Sequence, residues 1–219
     1  MFYHTSDQER INLGFGGHEC NNGMHFCGLY ETEYERDEII IGYLRQGLID
    51  KAHVLYTPTE RTSEDFINTF CERFPEDNEL LNDNPLFTMN TAEDLYYQDG
   101  EFSPVRMNVN LNKFFIESQK QGKINIRTTA EMVWAIDKML DKTLLMAYES
   151  RLNYFIPGKP WISICMYNIT RFDGQTIMRV LQTHPYTISK GGFITKNPYY
   201  IHPDVWLARN APEYLNSPE

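Results

Sequence analysis

The chain opens on a polar, glycine-rich stretch with little periodicity. Residues 1–23 carry Gly14, Gly16, Gly17 and Gly23 and read as a lead-in, or as a loop that orders over a site. The texture changes at Met24. MHFCGLY (24–30) is an apolar run of strand length, and Ile40, Tyr43, Leu44 and Leu48 then recur at helical spacing. Acidic residues at the start of that helix (Glu33, Glu35, Asp37) favour its positive end. HVLYT (53–57) is a second strand, and Thr62 with Asp65 is a capping pair for the helix SEDFINTFCERF. PLFTMNT (85–91) predicts a third strand, followed by a polar loop with a turn at Asp99-Gly100. Ser103 as N-cap and Pro104 at the first helical position open a long helix to about Lys120.

The same alternation continues. KINIRTT (123–129) is a fourth strand, residues 138–155 are helical, and WISICMY (161–167) is a fifth strand. Asp173 caps GQTIMRVLQTH, and a β-like tail follows, YTISKGGFITKNPYY. Strands alternating with amphipathic helices predict an α/β fold, a three-layer, mostly parallel sheet with helices on both faces. Ligands of such sheets bind beyond the carboxyl ends of the strands. No repeat or linker divides the chain, so one domain is expected, with residues 205–219 as a C-terminal tail.

Composition narrows the function. A hydrophobic share of 42% supports a sizeable core, and an aromatic share of 14% supplies rings to line it. The net charge of −10 argues against direct nucleic-acid binding, which needs a basic face. No apolar run is long enough to cross a membrane, and the first ten residues lack the parts of a signal peptide. A cytoplasmic location is therefore expected, where Cys20, Cys27, Cys71 and Cys165 are thiols or metal ligands rather than disulfides. After the first strand, Glu31-Thr32-Glu33 stands where a phosphate loop would sit, and neither G-x-x-x-x-G-K-[ST] nor G-x-G-x-x-G is present.

Three groupings carry candidate chemistry. His18-Glu19-Cys20 and His25-Phe26-Cys27 place two H-x-C pairs within ten residues. On a strand, His25 and Cys27 share a face, and His18, Cys20, His25 and Cys27 form a possible ligand set for zinc or another transition metal. The competing reading is a buried thiol and a hydrogen-bonded histidine that serve packing alone. Cys165 and Tyr167 share a face of a later strand, with His184 after the next helix. A cysteine–histidine nucleophile is conceivable there, but no orienting acid is apparent. Glu131 with Trp134, after the fourth strand, reads equally as a ligand-binding carboxylate beside an apolar wall or as a helix-start carboxylate beside a packing ring.

Several stretches taken together resemble one family. HFCGLYE (25–31), LYYQDGEFSPVRM (95–107), AEMVWAI (130–136), YESRLN (148–153), CMYN (165–168), THP (183–185) and KNPYY (196–200) occur in the order found in the MEDS domain, a sensory domain of methanogens and methylotrophs. The resemblance spans residues 17–204, with residues 24–204 as the domain proper. It implies a layout similar to RecA- and KaiC-like domains without a phosphate loop, and a role in sensing simple hydrocarbon derivatives. It also implies a partner signalling protein, either a histidine kinase or a transcription regulator. The family motifs carry over as His25, Cys27, Tyr30, Glu131, Trp134, Cys165, Tyr167 and His184. Two positions depart from the pattern: Ala130 where glycine is usual, and Asn168 where an acidic residue often stands.

With no kinase or helix-turn-helix after residue 204, the reading is a stand-alone sensor of a one- or two-carbon compound, with self-association as an additional possibility. A thiol- or metal-dependent enzyme and a degenerate nucleotide-binding regulator are the alternatives.

Overall fold

The computed structural model describes residues 10–120, 122, 125–138 and 142–215. Seven strands form one sheet: β3 (Met24–Tyr30), β4 (His53–Thr57), β5 (Phe87–Met89), β6 (Ile126–Glu131), β7 (Trp161–Asn168), β8 (Tyr186–Ser189) and β9 (Phe193–Lys196). Their order is β5-β4-β6-β7-β3-β8-β9, with every pairing parallel except β8 with β9. A small antiparallel pair, β1 (Ile11–Asn12) with β2 (Glu19–Cys20), precedes it. This is the expected α/β architecture, with helices on both faces.

Residues of even and odd number along β3 and β7 point to opposite sides, as the strand period of two requires. Phe26, Ile162, Ile164 and Met166 pack in one core with α1 (Glu33–Ile49) and α2 (Ser63–Arg73). Cys27, Trp161, Cys165 and Tyr167 belong to the other core. That second core is covered by α3 (Ala92–Leu95), α4 (Pro104–Lys120), α5 (Trp134–Lys138), α6 (Thr143–Phe155), α7 (Gly174–Thr183) and α8 (Pro203–Asn210). We call these the α1 face and the α6 face.

The caps read from the sequence are present. Thr62 and Asp65 close a reciprocal capping box, Ser103 Oγ accepts from the Arg106 amide, and Asp173 accepts from the Thr176 amide. The fourth strand lies two residues later than expected, running on to Glu131; positions 123 and 124 are outside the described residues. Of the helix expected at 138–155, Thr143–Phe155 is helical and residues 139–141 are likewise outside the described set.

Two segments differ from expectation. The lead-in is not a cover for the predicted site: Leu13 and Phe15 are buried in the α1-face core, and a Cβ on Gly14 would lie 2.1 Å from the Gly42 carbonyl oxygen. Backbone contact with α1 at a φ of +82° is a position only glycine fills without strain. The tail, in turn, begins with α8, whose Trp206 and Leu207 complete the α6-face core.

Candidate functional site

The predicted site residues separate into two places. At the carboxyl edge on the α1 face, Glu131 ends β6 fully buried. Its Oε1 accepts from Tyr56 Oη at 2.6 Å, and its Oε2 accepts the amides of Thr59 at 2.8 Å and Glu60 at 2.7 Å. Arg36 and Arg61 lie 3.5 and 3.7 Å from Oε1, and both also pair with Asp37. Tyr30, at the end of β3, donates to Glu60, which accepts from Asn168 as well. The amide at Asn168 thus donates where an acidic side chain would repel Glu60. Each carboxylate here is answered by guanidinium, hydroxyl or amide donors.

At the start of α1, beside this cluster, the chain's own side chains take the backbone amides. Thr32 Oγ1 accepts the Glu35 amide and Glu35 Oε2 accepts the Glu31 amide at 2.9 Å. A carboxylate of the chain occupies the donors that a phosphate loop offers to its anion.

The second place is on the α6 face, beneath α6 and α7. His25 is the second residue of β3, Cys165 the fifth of β7, and His184 caps the end of α7. Because β3 and β7 are parallel neighbours with Cys27 opposite Cys165, the two H-and-C strands do meet. The group between them is Glu149 of α6. Its Oε2 lies 3.2 Å from His25 Nε2, 3.3 Å from His184 Nε2 and 3.4 Å from Cys165 Sγ. Tyr167 Oη donates to its Oε1 at 2.7 Å. All these side chains are at most 5% exposed. The site therefore lies within the body of the sheet, not at the carboxyl edge where it was expected.

Glu149 was not singled out from the sequence. Its signal is its place on the apolar stripe of its helix, four residues after Leu145 and three before Leu152. A carboxylate on a core-facing stripe needs partners. Burial works to raise its pKa, and positive charge on His184 and His25, where they carry it, pulls the carboxyl well below the usual range. Burial pushes the Cys27 thiol up, helped by Glu149, and does the same to Cys165. Burial lowers the pKa of His25.

The other expected ligands are elsewhere. Cys20 packs in the α1-face core, with burial pushing its thiol up to about 11, so the pairs His18/Cys20 and His25/Cys27 do not converge. Cys27 points to the α6 face, its thiol 3.8 Å from the Tyr186 carbonyl oxygen. Trp134 stacks on Tyr96, ring centroids 4.5 Å apart, on the α6 face and away from the carboxylate of Glu131. Among the described residues, the metal-capable group that forms is His25, Glu149, Cys165 and His184, whose donor atoms all lie within 4.8 Å of one another.

Beside this group is a cavity of about 30 Å³. Cys165 forms one wall, and Leu55, Tyr96, Leu111, Ala130, Tyr148 and Trp161 contribute much of the rest. Thr57 also lines it, and the Thr57 hydroxyl makes no hydrogen bond among the described residues. One water needs roughly 10–15 Å³ on this measure, so the space admits a molecule of a few heavy atoms.

Comparison with known proteins agrees with this fold. An ATP synthase subunit NeqB from Nanoarcheaum equitans matches with a TM-score of 0.55 at 10% identity, over 83% of this chain and 50% of that one; this likeness is one of fold alone. The flagellar accessory protein FlaH from Methanocaldococcus jannaschii matches at 0.49 and 15% identity, over 84% and 83% of the two chains. The transcriptional repressor DcmR of Methylorubrum extorquens is 22% identical over 165 residues, which is 73% of this chain and 57% of that protein. The chain thus spans little more than half the length of this curated relative. No helix among the described residues is long and apolar enough to cross a membrane. The family described as methanogen/methylotroph, DcmR sensory domain matches residues 24–185, an interval that holds His25, Glu149, Cys165 and His184 together, and the chain belongs to this MEDS family.

Proposed function

We propose that this sensory domain binds a one- or two-carbon hydrocarbon derivative in the α6-face cavity and passes its occupancy to a partner regulator. The cavity carries the reading. Its volume of about 30 Å³ suits a molecule of that size, its walls are mainly apolar, and the hydroxyls of Thr57 and Thr129, which make no hydrogen bond among the described residues, are there for a polar substituent. Cys165 belongs to both the cavity wall and the polar group behind it, so a ligand there touches the group that joins β3, β7, α6 and α7. Ala130, where the family usually has glycine, adds a methyl to the wall and narrows the space. Output requires a ligand that distinguishes two states of the domain. The repressor relative supports a transcription regulator as the receiving partner, and the net charge of −10 favours DNA contact through that partner.

Titration calorimetry of the full chain against halogenated, hydroxylated and unsubstituted one- and two-carbon compounds tests this. Saturable binding of at least one compound, weakened by Ala130→Val, is expected. Heat of dilution alone across the series would remove the reading. Two other functions fit less well. A thiolate enzyme needs a lowered thiol pKa, whereas burial raises those of Cys27 and Cys165. A nucleotide-binding regulator needs an open anion site, which Glu35 fills.

A further inference from the structure

The hydrogen bonds behind the two buried imidazoles assign their tautomers. Asn153 Nδ2 donates to the carbonyls of Glu149, Ser150 and Thr183, at 3.2, 3.2 and 2.8 Å, which fixes its amide and turns Oδ1 towards His25 Nδ1 at 3.2 Å. An amide oxygen only accepts, so the hydrogen is on His25 Nδ1. His184 Nδ1 is 2.8 Å from the Val180 carbonyl oxygen and carries its hydrogen for the same reason. In the neutral form of each ring Nε2 is then a lone pair, and both lone pairs aim at Glu149 Oε2. His184 Nε2, fully buried, makes no hydrogen bond among the described residues. Three acceptors face one another, and the single S–H of Cys165 cannot serve them all.

A cation at their centre does. A tetrahedral zinc ion has bonds of about 2.3 Å to sulfur and about 2.0–2.1 Å to nitrogen or oxygen, which sets ligand separations of roughly 3.5–3.6 Å from sulfur and roughly 3.3 Å between the lighter atoms. Four of the six separations here are 3.6 Å for Cys165 Sγ to His25 Nε2, 3.4 Å for Cys165 Sγ to Glu149 Oε2, and 3.2 and 3.3 Å from Oε2 to the two nitrogens, and the other two, from His184 to Cys165 and to His25, are within 4.8 Å. Imidazole rings anchored through Nδ1–H to a carbonyl or amide oxygen are also the outer-shell arrangement that orients metal-bound histidines. We propose that His25, Glu149, Cys165 and His184 hold a zinc ion in a closed four-ligand site. On binding, the Cys165 thiol gives its proton to solvent and the thiolate takes the metal. Four protein ligands make the site structural, so that zinc fixes the Cys165 wall of the cavity. The inference does not depend on a ligand occupying that cavity.

Full-length protein purified without a histidine tag, stripped with a chelator and titrated with zinc tests it. Elemental analysis is expected to find one zinc per chain. Cobalt(II) is expected to give the visible bands of a tetrahedral centre and the near-ultraviolet band of a cobalt–thiolate bond. Cys165→Ser, close in size, should abolish the thiolate band, and His184→Gln should weaken zinc at least tenfold. His202→Ala, at the surface, should leave stoichiometry unchanged. Wild-type protein that takes up no zinc overturns the proposal without recourse to any variant. So does a cobalt spectrum without the thiolate band, or zinc binding that survives Cys165→Ser and His184→Gln intact or is lost in His202→Ala.

Discussion

Glu131 and Glu149 are equally buried on opposite faces of one sheet, and their surroundings differ in kind. Glu131 meets two backbone amides, a tyrosine hydroxyl and two arginines, so its charge is met by hydrogens the chain supplies. Glu149 meets two imidazole nitrogens turned lone pair first, with one tyrosine and one thiol to donate. The first arrangement answers the carboxylate with donors and stabilises the fold, while Arg36 Nη1 and Arg61 Nη2 are met by ion pairs with Glu60 and Asp37 and not by hydrogen bonds. The second is completed by something the chain does not encode. Burial alone therefore does not mark a functional carboxylate; the mismatch between acceptors and donors around it does.

The comparison is broken most directly at Glu131. Glu131→Gln keeps the shape but removes the charge facing Arg36 and Arg61 and turns an NH2 or an uncharged oxygen towards the Thr59 and Glu60 amides. Removing one partner of a buried pair costs roughly 3–5 kcal/mol, which urea denaturation of wild type and variant measures. A loss under about 1 kcal/mol, the range of an exposed pair, would mean that this edge is solvated and that the two faces do not differ as described.

Thiol reactivity sharpens the contrast in the other direction. Cys27 and Cys165 sit behind α6 with burial and Glu149 raising their pKa, while Cys71 on α2 is half-buried. Iodoacetamide at neutral pH should label Cys71 on the order of tenfold faster than the two α6-face thiols, because the thiolate is the reactive form. Mass spectrometry of peptides over a time course reads this. Fast labelling of Cys165 would return the thiolate-enzyme reading.

Ala130→Val addresses the cavity. Filling a void at a residue already on its wall should stabilise by roughly 0.5–1 kcal/mol in thermal unfolding, in line with cavity-filling substitutions generally. A loss of more than about 1 kcal/mol, the usual result of overpacking, would indicate that the space is too small for two methyl groups and hence for a ligand.

The extent to which each face was legible follows from what its signals depend on. Strand runs such as MHFCGLY and HVLYT, and caps such as Thr62/Asp65, are local, and they appear where the pattern placed them. The pairing of Cys27 with Cys165 depends on strand order, which places β7 beside β3 although more than 130 residues separate them. Proximity in sequence grouped His18 and Cys20 with His25 and Cys27, but Cys20 belongs to the separate β1–β2 pair and packs in the α1-face core, while His25 on β3 meets Cys165. Glu131 and Trp134, which the sequence paired because they are three residues apart, part because β6 ends at Glu131 and a turn leads to α5, which Trp134 opens. Glu149 was hidden for a different reason: helical amphipathicity predicts which residues face the core, and a single carboxylate among leucines does not alter that pattern. Only its partners, contributed by β3, β7 and α7, give it a role.

The smallest expected effect is the most discriminating. Glu149→Gln is the same change as Glu131→Gln, at the same depth, but in chelator-treated protein its cost should lie within about 0.5 kcal/mol of zero. The amide oxygen can keep the Tyr167 hydroxyl bond while the NH2 offers its two hydrogens to the lone pairs of His25 and His184, replacing an acceptor where donors are scarce. The hydrogen bond lost from the Cys165 thiol is worth about 1 kcal/mol and is offset by the two gained. Replacing a buried charge among polar groups by a neutral isostere is often neutral or stabilising for the same reason. If urea denaturation of metal-free Glu149→Gln instead shows a loss of roughly 3–5 kcal/mol, as at Glu131, then Glu149 is an ordinary structural anion balanced by protonated imidazoles. In that case both imidazoles carry a hydrogen on Nε2 besides the one on Nδ1 that faces Asn153 or Val180, and the α6 face is no less self-sufficient than the α1 face. A near-zero cost leaves Glu149 as a carboxylate the fold does not need for its own stability, held where three other donors of electron pairs converge.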